Sequence, residues 1–125
     1  MTQEEIKQAV NDHPAHKVKL AITDIDGILR GKVVHKDKFM SIVEGGFGFC
    51  NVVFGWDAVD TAYDNAQYTG WHTGYPDADA QLDFTTFRQI PWEDNLPFLL
   101  GDFVGESGKS LAVCPRSLLK KVKQQ

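Results

Sequence analysis

Asp24 and Asp26, one residue apart with Gly27 behind them, place two carboxylates at the end of an alternating apolar run. Such a pair can work on a phosphate only with Mg²⁺ to neutralise the anion and a second acidic cluster to hold the metal, and Gly101-Asp102-x-x-x-Glu106 imitates that cluster weakly. Gly105-Glu106-Ser107-Gly108-Lys109-Ser110 looks like the end of a phosphate-cradling loop, but the position where the first glycine belongs carries Phe103. A ring there obstructs the close approach of backbone to phosphate, so the segment reads as a turn. Asp77-Ala78-Asp79 with Asp83 hints at a calcium loop, yet Leu82 and Arg88 stand at the positions of its glycine and its bidentate glutamate. His13-x-x-His16, His35 and His72 lack the cysteine or carboxylate spacing of a zinc site and read as solvated side chains.

The elements that must carry these residues follow from periodicity. Thr2 with Glu5 three residues on is a capping box, and Ile6, Ala9 and Val10 behind it predict a helix to about Asn11. From Lys17 the period is two, with Val18, Leu20 and Ile22 on one face of a strand. Asp26-Gly27 supplies the turn of a hairpin and Ile28 to His35 its return strand. Asp37 is read as the cap of a second helix with Phe39, Ile42 and Val43 on one face, closed by Gly45-Gly46. Val52 to Trp56 is read as a strand, and Asp57 to Tyr75 as a long aromatic loop, of a length that is functional or docked. Strands are expected at Gln81 to Phe84, Phe98 to Val104 and Ser110 to Cys114, then a helix from Arg116 with Leu118, Leu119 and Val122 on one face.

Taken in order, these segments resemble the N-terminal domain of glutamine synthetase and the γ-glutamyl-amine ligases. The pieces are Thr23-Asp24-Ile25-Asp26-Gly27-Ile28-Leu29-Arg30-Gly31-Lys32, Glu44-Gly45-Gly46-Phe47-Gly48-Phe49, Phe54-Gly55-Trp56-Asp57, Tyr75-Pro76-Asp77, Arg88-Gln89-Ile90-Pro91-Trp92-Glu93 and Cys114-Pro115-Arg116-Ser117. The resemblance implies an α+β, β-grasp-like fold: a small mixed sheet with a packed helix and a long loop after the third strand. It also implies that residues 1–125 form a single such domain, with the larger catalytic domain, which in the family binds ATP and Mg²⁺ or Mn²⁺, absent from them. No metal, nucleotide or other cofactor is expected on these residues themselves. The domain's implied work is to pack on a neighbouring catalytic domain, in a homo-oligomer, and to contribute an acid to its ammonium site. Asp57 matches that acid. Many glutamine synthetases follow it with Gly-Ser-Ser, whereas Ala58-Val59-Asp60 stands here, closer to the amine-ligase branch, which leaves ammonia or an amine open as acceptor. Asp60, Trp56 and Tyr63 are read either as shaping that site or as a surface loop with buried aromatics. Arg30 and Lys32, beside Lys17, Lys19, Lys36 and Lys38, are read as solvated charges on a sheet edge.

Two other readings remain open. One is a stand-alone β-grasp interaction module. The other is a small Mg²⁺ phosphatase, because Leu20 to Gly27 resembles the first motif of the haloacid dehalogenase family, whose first Asp is a nucleophile and second an acid/base. That fold needs several βαβ units of about 30 residues each, whereas a hairpin follows the motif here, and Ile28 stands where that family has Thr.

Length and composition bound all three. At 125 residues there is room for one domain, and 42% hydrophobic with 24% charged residues is enough for a core. A net charge of −4 argues against nucleic acid or an anionic membrane as partner. The polar, acidic start lacks a signal-peptide pattern, which predicts a cytoplasmic protein in which Cys50 and Cys114 stay reduced.

Overall fold

The computed structural model describes residues 1–125. Helix α1 (Gln3–Asp12) is capped by Thr2, whose hydroxyl accepts from the Glu5 N–H at 3.2 Å while the Glu5 carboxylate accepts from the Thr2 N–H at 2.7 Å. Strand β1 (Lys17–Thr23) and strand β2 (Leu29–His35) pair antiparallel in a hairpin turned at Gly27, which sits at φ +77°. Helix α2 (Lys36–Gly45) begins differently from the expected Asp37 cap: the His35 ring accepts from the Asp37 N–H at 3.1 Å and is itself the N-cap. The helix ends at Gly46, where φ is +75° and a Cβ would stand 2.5 Å from the Ala80 carbonyl. Both facts require glycine there.

Strand β3 (Phe47–Cys50), strand β4 (Asp77–Ile90) and strand β5 (Leu96–Phe103) complete a five-stranded mixed sheet of order β2-β1-β5-β4-β3, in which β1 and β5 run parallel. This is a small α+β, β-grasp-like arrangement. Val18, Leu20 and Ile22 of β1 meet Leu99 and Phe103 of β5, Ile6 and Val10 of α1, and Phe39 and Ile42 of α2 in one buried cluster. The period-two and helical patterns of the sequence therefore converge on a single core.

Three expected strands differ from the structure. Asn51 to Phe54 is a 3₁₀ turn that sends Val53 and Phe54 into the core, and the strand lies just before it, at Phe47–Cys50. The Gln81 to Phe84 strand is the middle of a much longer one, because the chain bulges between Asp83 and Arg88 and resumes pairing. The Thr86 hydroxyl repairs the ladder across the bulge, accepting from the Leu100 N–H at 2.9 Å and donating to the Asp83 carbonyl at 2.6 Å. Ser110 to Cys114 is no strand beyond one bridge from Ser110 to Val104, since the chain turns at Leu111 to Cys114 and Pro115 opens helix α3 (Pro115–Lys123). The segment from Glu106 to Gly108 is a short turn that feeds no long helix, as the phenylalanine at 103 foretold.

Both cysteines are free thiols, Cys114 buried and Cys50 half-buried. His13 is not solvated: buried, its Nδ1 accepts from the Ala15 N–H at 3.2 Å, so Nε2 carries the proton and donates to the Asp94 carbonyl at 3.0 Å. No helix is long and apolar enough to cross a membrane.

Candidate functional site

The hairpin turn, β2 and the loop after the 3₁₀ turn meet around one guanidinium. Asp24 is fully buried, and its Oδ1 accepts from the N–H groups of Asp26 and Ile28, each at 2.9 Å. This fixes the tight turn by the side chain of its first residue. Its Oδ2 faces Arg30 Nε at 2.9 Å. Arg30 stands opposite Ile22 in the β1–β2 register and so lies on the core side of the sheet. Its other two nitrogens reach the long loop: Nη2 donates to the Asp57 carbonyl at 3.1 Å and Nη1 to the Asp60 carboxylate. The guanidinium also lies 4.6 Å over the centre of the Trp56 ring. The sequence reading of Arg30 as a solvated edge charge is therefore overturned, because the pleat of β2 turns alternate residues toward the core. Lys32, two residues on, follows it inward, with Nζ 2.9 Å from the Gly48 carbonyl and over the Phe47 and Phe49 rings.

The loop has its own internal order. Asp57 is half-buried, and its Oδ1 accepts from the N–H groups of Val59 and Thr61, each at 3.0 Å. The Asp60 N–H donates back to the Asp57 carbonyl at 3.1 Å, with Asp60 in the left-handed region at φ +67°. Aspartate tolerates that conformation better than most residues. One carboxylate oxygen of Asp57 thus holds the turn, and Oδ2 is left for other partners. Tyr63 lies beside the loop, its N–H donating to the Gly55 carbonyl at 2.7 Å. Partial burial pushes its phenol up from the ordinary value, with the charges of Asp57 and Asp26 adding to the effect. Farther along, the Thr69 hydroxyl donates to Asn51 Oδ1 at 2.6 Å, both residues buried, and Phe54 meets Tyr68 edge to face. Some aromatics pin the loop down, while Trp71, 87% exposed, does not.

Asp57, Asp60 and Trp56, singled out from the sequence, are brought together with Arg30 and Asp24, which sequence reasoning had placed elsewhere. The available signal was the alternation of β2, in which Arg30, Lys32 and Val34 share the face opposite to Leu29, Gly31 and Val33. Asp24 is fully buried, with one oxygen held by the turn N–H groups and the other facing Arg30, so it is not exposed for attack on a phosphate and the Asp-x-Asp-Gly motif serves as a turn. No group of three or more His, Cys, Asp or Glu side chains gathers to hold a metal ion.

No family model matches the chain. Among curated proteins, it is 59% identical over 105 residues to type-1 glutamine synthetase 2 of Dictyostelium discoideum, a match covering 84% of this chain and 20% of that one. It is 33% identical over 117 residues to the glutamate–isopropylamine ligase of a Pseudomonas species, covering 93% and 26%. Among solved structures, a GmaS complex with ADP superposes with a TM-score of 0.68 at 21% identity, over 94% of this chain and 24% of that one. At that identity the superposition speaks for the fold alone. The chain spans only a fifth to a quarter of the curated relatives it matches. With sequence likeness over most of its residues and the fold in agreement, the chain belongs to the glutamine synthetase and γ-glutamyl-amine ligase family as a β-grasp-like domain.

Proposed function

We propose that this domain packs on a neighbouring catalytic domain of an ATP-dependent carboxylate–amine ligase and contributes Asp57 to the site that binds ammonium or an amine. The observation that carries the reading is the arrangement of Asp57: one oxygen locked by the Val59 and Thr61 N–H groups, the other available, on a loop tied to the sheet through Arg30. In such a ligase an amine attacks an acyl phosphate, forming the C–N bond as phosphate leaves. Attack needs the neutral amine, and a fixed carboxylate that holds the ammonium ion and takes its proton supplies it. On this reading ATP and any Mg²⁺ or Mn²⁺ would be bound by the partner domain. Ala58-Val59-Asp60 after the acid and the likeness to an isopropylamine ligase support an amine as acceptor, and the greater likeness to a glutamine synthetase supports ammonia.

Packing on a partner is supported by two apolar surfaces. Val59, Tyr68 and Trp71 are exposed on the loop, and Leu118, Leu119 and Val122 on α3, whose Arg116 and Lys120 pair with Asp83 and Asp102 of the sheet. Interface surfaces need such apolar area.

The isolated chain should turn over no ATP with glutamate, Mg²⁺ and ammonium; turnover above background would sink the proposal. In a ligase assembled with this domain, Asp57→Ala should reduce amide synthesis by about 10²-fold or more, the usual range for a general base, while the chain still folds. Undiminished synthesis would remove Asp57 from the reaction. A free-standing interaction module is the second reading, favoured by the same exposed aromatics. It predicts that the chain self-associates or binds a partner yet restores no ligase when supplied with a family catalytic domain.

A further inference from the structure

We infer that Arg30 is the positioning residue of the Asp57 loop, a role that gains catalytic meaning only through the ligase reading above. Each of its three nitrogens has a different acceptor: Nε the buried Asp24 carboxylate, Nη2 the Asp57 carbonyl, Nη1 the Asp60 carboxylate. Asp24 cannot swing to follow the loop, because the Asp26 and Ile28 N–H groups hold its other oxygen. The contacts therefore form a rigid line from the hairpin turn through the guanidinium to the backbone of the residue that carries the acid. The Ile25 N–H donating to the Val53 carbonyl at 3.3 Å secures the same turn to the start of that loop.

The chemistry requires arginine. A planar fork addresses three acceptors in fixed directions and stacks its face on an indole, whereas a lysine ammonium is a point charge on a flexible stem. Trp56 makes the same point from the other side. Its Nε1–H is buried without an acceptor, and an unmet buried donor is costly. The ring is held there by the guanidinium over its face rather than by a hydrogen bond of its own. The carbonyl of Asp57, rather than its carboxylate, receives Arg30, so the tether sets where the acid stands without consuming the acid.

Amide hydrogen exchange on this chain tests the inference. Arg30→Gln should speed exchange at Val59 and Thr61, the N–H groups that Asp57 holds, by about tenfold or more as the loop opens locally. Leu20 and Leu99, in the centre of the sheet, should keep their protection. Arg30→Lys should recover only part of the effect. Unchanged protection at Val59 and Thr61, or a loss there no larger than the loss at Leu20 and Leu99, would overturn the inference. If Arg30→Gln fails to fold, Asp60→Asn takes the charge from one of the fork's loop acceptors at an exposed site, weakening that contact, and should loosen the same two amides; no loosening would be equally fatal. In the assembled ligase, Arg30→Lys should raise the KM for ammonium chloride or isopropylammonium while leaving that for glutamate in place. Loosened amides with an unmoved amine KM would uphold the tether and instead overturn the role of Asp57 in the ligase.

Discussion

Two arginines each sit between two aspartates, at different parts of the sheet, and they do different work. Arg116 of α3 bridges Asp102 at 2.5 Å and Asp83 at 3.1 Å, and Lys120, one turn later, pairs with both carboxylates. Two cations face two anions, all on side chains, and the result clamps a helix to a sheet. Arg30 is a lone cation between one fully buried carboxylate and one exposed one, and two of its remaining contacts are a backbone carbonyl and an aromatic face. Charge balance tolerates small changes of geometry, because long side chains can re-pair. A fork on a carbonyl does not, because the acceptor has a direction. The difference separates a contact that attaches an element from one that sets the position of a loop.

The largest test of that difference is Asp24→Ala, which leaves Arg30 without its buried partner and the turn without its side-chain acceptor. Loss of one partner of a buried pair costs about 3–5 kcal/mol, read as a lower urea midpoint. Next is Arg116→Ala, with Lys120 still neutralising part of Asp83 and Asp102. A loss of about 2–3 kcal/mol fits a charge-assisted pair with a remaining partner. Should Arg116→Ala prove the costlier of the two, the clamp and not the tether would be the stronger element.

A pH titration sharpens the comparison further. Burial raises the Asp83 carboxyl, but hydrogen bonds from Thr85, Lys120 and Arg116 outweigh it and hold the group well below the ordinary carboxylate range. The folded state then binds its proton less readily than the unfolded one. Its stabilising contribution is complete above the unfolded aspartate pKa of about 3.9 and is lost as pH falls from there through the folded value. Acid unfolding should therefore steepen below about pH 4, and Asp83→Asn should flatten that slope. Lys120 gives the opposite limb: burial lowers it, hydrogen bonds to Asp102 and Asp83 outweigh this and raise it, so its contribution is lost only as pH climbs past the ordinary 10.5 through the raised value. The smallest expected effect is Leu119→Ser, on the outward face of α3, 66% exposed. Stability should shift by no more than about 0.5 kcal/mol, while sedimentation velocity should show weaker self-association if that face meets a partner.

Much of this frame could be read from the chain. The capping box at Thr2 and Glu5, the alternation of β1 and the Asp26-Gly27 turn are local signals, written in residues within four positions of each other, and each fixed its element. The β4 bulge was illegible, because a threonine hydroxyl completing a ladder with Leu100 depends on a strand that arrives later in the chain. The 3₁₀ turn at Asn51–Phe54 has the apolar, β-branched composition of a strand, and only the need to bury Val53 and Phe54 in the core decides otherwise. His13 looked like a surface residue until the β4–β5 turn brought the Asp94 carbonyl to it.

For the site the division is similar. Order and identity of residues marked Asp57 as an acid and Asp60 and Trp56 as its neighbours, through a likeness to ligase sequences. That Asp24 is a buried turn residue rather than an exposed nucleophile, and that Arg30 joins it to the Asp57 backbone, was decided by the tertiary structure alone. Local propensity and periodicity act over a few residues and determine elements. Which charge is buried, and which carbonyl it meets 27 positions away, is set by how the sheet packs those elements together.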